Sequence, residues 1–264
     1  MTSAEPLRIT SAANSLLKDL KRLSQDSTAY RKQGRVWLEG EHLCSAAAAR
    51  DVRPAQAVYS ESAWLSTGHR WAGRALQNVV ISDPLFATLS ALESPAAMAF
   101  VLDLPSPPAL QTDAPTAILD RVQDAGNVGA ILRSASAFGF KQVIALKGTA
   151  ALWSPKVLRA GMGAHFAVRL LEGIEPSALE ALALPIIVTS SHQGEWLHQT
   201  PLPWPCAWAF GHEGQGVGEN VTARARLAVR IAQPGGEESL NVASAAAICL
   251  HASAAAQQTR GGLL

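Results

Sequence analysis

The sequence predicts an α/β protein in which a small α/β domain precedes a larger domain built on a mostly parallel sheet with flanking helices. Its 264 residues exceed the roughly 150 that a single domain usually contains. Short apolar runs alternate with helix-like stretches, a pattern typical of parallel strands that are connected by helices. A proline-rich segment at 104–115 has no periodic apolar face and is the predicted linker. We therefore expect domains at 1–103 and 116–264.

The N-terminal domain is predicted to open with an amphipathic helix. Leu16, Leu17, Leu20 and Leu23 recur at helical spacing, and basic residues occupy the other faces of this helix. Short apolar runs then predict strands at 36–40, 57–60, 79–82 and 98–104.

The C-terminal domain shows a stronger alternation of strands and helices. Its predicted strands are 117–122, 143–147, 186–190, 206–210 and 227–232. Its predicted helices are 128–138, 155–162, 176–183 and 241–257. Ligands of parallel sheets bind beyond the carboxyl ends of the strands, so we expect the chemistry in three polar, glycine-rich loops that follow strands here.

Composition favours a folded protein of a reducing compartment. Charged residues make up 16% of the chain and hydrophobic residues 48%, which excludes disorder driven by charge. The longest weakly polar run, 242–256, is too short for a transmembrane helix, and the N-terminus lacks the pattern of a signal peptide. The three cysteines are far apart, so we expect no disulfide framework, no metal site and a cytoplasmic protein.

The net charge of +1 argues against a nucleic-acid partner until its distribution is considered. Residues 1–35 contain seven basic and three acidic side chains, which gives this segment a charge of +4. The basic residues are Arg8, Lys18, Lys21, Arg22, Arg31, Lys32 and Arg35. The segment is either a solvated helix face or a basic footprint for nucleic acid.

The first loop, 120–129, runs directly into a predicted helix. Gly126 and Gly129 permit a tight turn, Asn127 offers both hydrogen-bond donors and an acceptor, and Arg133 follows within the helix. Alternatively, Asn127 only caps the helix and Arg133 lies on the surface.

The second loop, 210–218, has four glycines around a single acid, Glu213. The glycines do not follow the G-x-G-x-x-G spacing, and no G-x-x-x-x-G-K occurs in the chain, so a dinucleotide fingerprint and a Walker loop are both absent. The loop could equally be a flexible connector.

The third loop, 231–241, leads into the last predicted helix. Pro234, Gly235 and Gly236 predict an irregular backbone, and Ser239 or Asn241 is expected to cap the helix. Capping alone would account for these residues. The alanine-rich faces of the helix would permit close packing against another helix or a second subunit.

Together, in this order, the three loops resemble the signature motifs of the SpoU family, also called TrmH, of SAM-dependent RNA ribose 2′-O-methyltransferases in the SPOUT superfamily. The resemblance covers residues 116–258, and 154–166 is similar to the segment that connects the first two motifs. Residues 9–40 resemble, more weakly, a small RNA-binding domain of the ribosomal L30e type. Ala125 stands where proline is usual in the first motif, and Gly161 stands where serine is common.

This resemblance implies a deep C-terminal trefoil knot, which is a rare exception to the rule that connections do not thread. It implies that S-adenosyl-L-methionine (SAM) binds in the knot and that the chain forms a homodimer. The implied cofactor contacts are Thr189, Gly211, Ile231 and Leu240. The implied catalytic residues are Asn127, Arg133, Glu213, Ser239 and Asn241.

The implied reaction is methyl transfer from SAM to a ribose 2′-hydroxyl. The resemblance gives Arg133 the role of base, but guanidinium groups stay charged at neutral pH. We therefore expect Arg133 to bind a phosphate and to stabilise negative charge on the 2′ oxygen. Asn127, Glu213 and Asn241 are expected to orient Arg133 and the ribose, and Ser239 to shape the pocket.

The N-terminal domain favours ribosomal RNA as the substrate over transfer RNA. Two alternatives remain beside the rRNA methyltransferase: a tRNA 2′-O-methyltransferase, and a non-catalytic RNA-binding module of the same fold. A nucleotide-dependent oxidoreductase shares the alternating pattern but lacks its glycine fingerprint.

Overall fold

The chain, seen in a computed structural model, forms two compact units that each contain one sheet. The structure describes residues 5–90, 94–190, 193–235 and 239–260. Unit one comprises Met1–Ser106 and Trp153–Phe166. Unit two comprises Pro107–Leu152 and Ala167–Leu264.

Strands and helices alternate along most of the chain, as the sequence predicts. The strands are β1 Leu7–Ile9, β2 Arg35–Glu39, β3 Gln56–Ser60, β4 Gln77–Ile81, β5 Met98–Asp103, β6 Thr116–Asp120, β7 Gln142–Leu146, β8 Arg169–Ile174, β9 Ile186–Thr189, β10 Glu195–Trp196, β11 Ala207–Gly211 and β12 Ala225–Arg230. The helices are α1 Ser15–Gln25, α2 Ala29–Gln33, α3 Glu41–Ala48, α4 Glu61–Trp71, α5 Asp83–Ala87, α6 Ala125–Ala137, α7 Pro155–Gly161, α8 Glu219–Thr222 and α9 Val242–Arg260.

Unit one contains a five-stranded mixed sheet in the order β1-β4-β3-β5-β2. Strands β1, β4 and β3 are parallel, and β5 runs antiparallel to both β3 and β2. The predicted amphipathic helix is confirmed as α1, which Asn14 caps by accepting hydrogen bonds from two backbone N–H groups. Its leucines at 17, 20 and 23 are buried, and its exposed basic residues are Lys18, Lys21 and Arg22.

Segment Trp153–Phe166 packs in unit one although it follows the linker in the sequence. Its helix α7 begins after the capping hydroxyl of Ser154 and packs against β2. The guanidinium of Arg159 lies 3.4 Å from a carboxylate oxygen of Glu39, whose side chain is only 3% exposed. A hydroxyl from Ser90 donates to the other oxygen of Glu39. A buried carboxylate needs such partners, so this ion pair holds the segment in place.

Unit two contains a seven-stranded sheet in the order β10-β12-β9-β11-β6-β7-β8, in which the pairs are parallel. This confirms the predicted parallel sheet. Ile118, Ile144, Val188 and Ala209 from four of its strands meet in one buried cluster. Helices α6 and α9 pack against each other, and α9 also covers β11.

Several elements differ from the sequence prediction, including the short helix α8, which was not predicted. The α-helix predicted at 176–183 is a 3-10 helix at Pro176–Ala181, because Leu182 is extended and the N–H of Ala183 donates to the carbonyl of Thr112. Strands β1, β8 and β10 were not predicted. Strands β1 and β10 are short and lie at sheet edges. In β8, Gly173 has a φ of 72°, and the pairing with β7 shifts its register, which breaks the alternation of apolar residues.

Across the described ranges, no helix combines the length and the apolar character that crossing a membrane requires. Within the same ranges, no group of three or more His, Cys, Asp or Glu residues could hold a metal ion.

Strand β11 and helix α9 are joined by one buried hydrogen bond, from the indole Nε1 of Trp208 to the hydroxyl of Ser253 at 2.9 Å. Ser253→Ala would leave this donor without an acceptor, at a cost of about 1–3 kcal/mol. We expect a lower Tm for this variant in calorimetry, and an unchanged Tm for Ser244→Ala, whose side chain is exposed. Equal Tm values for the two variants would contradict a stabilising hydrogen bond between Trp208 and Ser253.

Candidate active site

The three glycine-rich loops lie at one edge of the sheet in unit two. The first loop follows β6, the second follows β11 and the third follows β12. Strands β12, β9, β11 and β6 are successive neighbours and run parallel, so their carboxyl ends share one edge. The loops are therefore brought together by the sheet, as predicted.

The first loop turns into α6 through a cap at Asp124. Its carboxylate oxygen accepts a hydrogen bond of 2.8 Å from the N–H of Asn127. The alternative in which Asn127 caps the helix is therefore wrong: Asn127 is the third residue of α6, and its side chain is left for other partners. An Asp three residues before Asn127, at the start of an apolar run, was the signal that could have indicated this cap.

A chain of hydrogen bonds joins the three loops through Asn127. Its Nδ2 donates to Oε1 of Glu213 in the second loop at 3.1 Å. Its Oδ1 accepts from Nδ2 of Asn241 in the third loop at 2.9 Å. Three of the five predicted catalytic residues are thus in direct contact.

The carboxylate of Glu213 is a fixed acceptor. It also accepts the backbone N–H groups of Gln123 at 3.3 Å and Asp124 at 3.2 Å. Partial desolvation raises the pKa of Glu213, but the hydrogen bonds from Asn127 and from these N–H groups outweigh it and hold the pKa below its usual range. Glu213 is therefore ionised at neutral pH and has no proton to donate.

Asn241 has two functions in the structure. While its Nδ2 reaches Asn127, its Oδ1 accepts from the N–H groups of Ala243 at 2.9 Å and Ser244 at 3.2 Å. Asn241, and not Ser239, therefore caps α9. Ser239 is exposed and has no hydrogen bond with Asn127, Glu213 or Asn241 in the described part of the chain.

Arg133 lies in the third turn of α6 with an exposed side chain. Among the described residues it has no hydrogen bond or ion pair. The expectation that Asn127, Glu213 and Asn241 orient its guanidinium is therefore not met, because those side chains bind one another and the backbone. The charge of Arg133 is available to an external anion.

Gly211 ends β11 where the chain reverses. His212 and Gly216 exchange two backbone hydrogen bonds, of 3.0 and 2.8 Å. A Cβ atom on Gly211 would lie 2.1 Å from the carbonyl carbon of Gly216, so only glycine fits this position.

The predicted cofactor contacts lie along the same edge. Thr189 ends β9, Gly211 ends the neighbouring β11, and Ile231 directly follows β12 on the other side of β9. Leu240 is 39% exposed, which leaves an apolar surface for a ligand to cover.

Gln233 is a residue that the sequence analysis did not single out. Its Oε1 is buried and has no hydrogen-bond partner within the described ranges. A buried acceptor of this kind is costly unless a donor reaches it. Sequence spacing alone could not indicate this buried acceptor.

Comparisons with known proteins agree with one another. The model of the SpoU rRNA Methylase family matches residues 115–251. The chain is 30% identical over 254 residues to the 23S rRNA (guanosine(2553)-2′-O)-methyltransferase RlmP of Bacillus subtilis, covering 92% of this chain and 98% of that protein. The crystal structure of an RNA 2′-O ribose methyltransferase is 29% identical with a TM-score of 0.78, covering 98% and 100% of the two chains. An AdoMet-bound rRNA methyltransferase from Sinorhizobium meliloti shares the fold at 23% identity, with a TM-score of 0.81 over 97% and 98%.

The lowered pKa of Glu213 predicts the effect of removing its amide partner. In Asn127→Ala the side-chain hydrogen bond is lost, so the pKa of Glu213 should rise towards its ordinary value of about 4.3. Carboxyl ¹³C NMR titration measures this shift, and Asn220→Ala, an exposed site, is the control. Because the folded pKa is lowered, the stability from this carboxylate is present above that ordinary value and is lost as the pH falls through the folded pKa. An unchanged pKa in Asn127→Ala would refute the assignment.

Proposed function

The chain belongs to the SpoU rRNA methylase family, and from this premise we propose that it transfers a methyl group from SAM to a ribose 2′-hydroxyl of RNA. The observation that carries the proposal is the hydrogen-bond chain from Glu213 through Asn127 to Asn241, which joins the three loops at one sheet edge. Ribosomal RNA is favoured over transfer RNA, because RlmP, with which the chain aligns over 92% of its length, is named as a 23S rRNA methyltransferase.

The cofactor is held by Thr189, Gly211, Ile231 and Leu240. The exposed apolar surface of Leu240 suits the adenine ring, and the buried acceptor of Gln233 suits an amino group. SAM supplies an electrophilic methyl group on a sulfonium. Loss of the methyl group leaves a neutral thioether, and the hydroxyl proton passes to solvent water. The work left to the protein is to align the ribose and to stabilise the negative charge that develops on its 2′ oxygen.

Arg133 performs the electrostatic part of this work. Its guanidinium has no internal partner among the described residues, so it can bind a phosphate of the RNA and stabilise the negative charge that develops on the 2′ oxygen. Glu213 is ionised and bound to backbone N–H groups, and it holds the first and second loops together. Asn127 and Asn241 fix the third loop to the first, and Ser239 lines the pocket from the third loop.

The remaining expectations become proposals with structural support. The path of the chain after β12 supports a trefoil knot. Strand β12 lies on one side of β9, and the following helix α9 packs against β11, on the other side of β9, and against α6.

The basic face of α1 supports RNA binding by residues 1–103, with 104–115 as the linker to the methyltransferase domain at 116–264. The alanine-rich α9, with Ile248 41% exposed, supports a homodimer. Action on ribosomal RNA supports a cytoplasmic location.

The proposed function predicts a separation between binding and transfer in Arg133→Ala. The parent chain should bind SAM in calorimetry and methylate 23S rRNA transcripts faster than tRNA. Arg133→Ala should keep SAM binding but lose about 10²–10³ in kcat, the usual loss for a missing charge-stabilising donor. Arg226→Ala, which removes an exposed arginine elsewhere in unit two, is the control. A parent chain that binds RNA but not SAM would favour the non-catalytic module, and normal turnover by Arg133→Ala would refute the role of Arg133.

RNA affinity is predicted to depend on the exposed basic face of α1. Replacing Lys18, Lys21 and Arg22 by serine should weaken RNA binding and reduce the slope of log K against log salt by roughly 2–3, since about 0.7–0.9 is lost for each phosphate contact. SAM affinity should not change. The matched control replaces three other exposed basic residues of unit one, Arg50, Arg53 and Arg74. An equal loss of RNA binding in both triple variants would show that only net charge matters.

A further inference from the structure

A second polar cluster, which the proposed reaction does not use, lies at the end of β6. The side chain of Asp120 is only 6% exposed, and its Oδ2 accepts the backbone N–H of Gly218 at 2.6 Å. The first loop therefore binds the far end of the second loop through a buried carboxylate.

Arg121 completes this cluster. Its Nε and Nη2 donate to the two carboxylate oxygens of Asp120 at 3.1 and 3.3 Å. Its Nη1 donates to Oε1 of Gln215 at 2.9 Å, and its Nη2 also reaches the carbonyl of Gly216 at 3.5 Å. One guanidinium thus binds the first loop and two residues of the second loop.

Arg121 is held in an unusual backbone conformation. Its φ is 60°, in the left-handed region that residues with a Cβ rarely adopt. Its N–H donates to the hydroxyl of Thr149 at 3.1 Å, which in turn donates to the carbonyl of Leu119 at 2.9 Å. Gly148 leaves room for the side chain, because a Cβ there would lie 3.1 Å from Cγ of Arg121. The surroundings therefore fix the direction in which the guanidinium points.

The part of the second loop that Arg121 contacts packs against Gly211. Gly216 lies directly against Gly211, as the 2.1 Å approach of a hypothetical Cβ shows. Glu213, in contrast, is held separately by Gln123, Asp124 and Asn127. Loss of Arg121 should therefore move the Gly211 side of the loop and leave Glu213 in place.

We propose that Arg121, anchored by Asp120, is a positioning residue that sets the second loop in the conformation in which Gly211 binds the cofactor. The inference rests on the proposed function, because it assumes that SAM binds at Gly211. The inference predicts that loss of the Arg121 guanidinium weakens SAM binding but has little effect on kcat at saturating SAM.

Two substitutions at this position separate the side chain from its backbone conformation. Glycine and asparagine both tolerate a positive φ, so Arg121→Gly and Arg121→Asn retain the turn but remove the guanidinium. In calorimetry of the full chain, both should raise the Kd for SAM about tenfold, while kcat at saturating SAM falls less than about threefold. Arg121→Lys, which keeps a cation beside Asp120, should recover part of the affinity. Arg226→Asn removes an exposed arginine of β12 and is the matched control.

Amide hydrogen exchange gives a readout that is independent of activity. In Arg121→Gly the amides of Gly216 and Gly218 should exchange faster than in the parent, while the amides of Gln123 and Asp124 should remain protected by Glu213. Gln215→Ala, at an exposed site, removes one acceptor only and should raise the Kd about threefold. This milder variant keeps the test decisive if the substitutions of Arg121 fail to fold.

The outcomes separate this inference from the proposed function. If the parent chain binds SAM and the Arg121 and Gln215 variants bind it within about twofold of the parent, the inference is overturned and the proposed function stands. A parent chain that binds no SAM overturns both. A raised Kd with faster exchange at Gly216, and partial recovery by Arg121→Lys, supports the positioning role.

Discussion

The arrangement of the site depends on the side-chain amide of Asn127, whose nitrogen and oxygen are both hydrogen-bonded to other loops. Its Nδ2 binds the carboxylate of Glu213, and its Oδ1 binds the amide of Asn241. An amide donates and accepts from one rigid plane, whereas an ionised carboxylate can only accept. Because Asn127 lies in the first turn of α6, which Asp124 caps, three loops take their positions from one helix.

The parallel sheet makes this convergence possible. Asn127 and Asn241 are 114 residues apart in the chain, yet β6, β11, β9 and β12 end at a shared edge. The sheet brings the loops near one another, and side-chain bonds then fix their relative positions. Arg133 is left out of these bonds, which suits a residue whose partner comes from outside the protein.

Much of the fold could be predicted from the sequence, because apolar runs bounded by glycine-rich loops locate most strands of unit two to within a few residues. The sequence also indicated which residues belong to the site, but it did not indicate their contacts. Spacing along the chain does not reveal that Asn241 donates a hydrogen bond to Oδ1 of Asn127. The left-handed backbone of Arg121 has no signature in the sequence. The packing of α7 in unit one rests on an ion pair between Arg159 and Glu39, 120 residues apart, and local patterns do not report such contacts.

The amino ends of α6 and α9 meet through Asn127 and Asn241. Each such end carries about half a positive charge, so two of them would create a positive electrostatic potential at this edge. The carboxylate of Glu213 lies against the start of α6. It is hydrogen-bonded to Asn127, whose other partner, Asn241, lies at the start of α9. With the carboxylate of Asp124, which caps α6, the acids at this edge more than offset the two helix ends, so a cationic ligand meets a surface that favours positive charge.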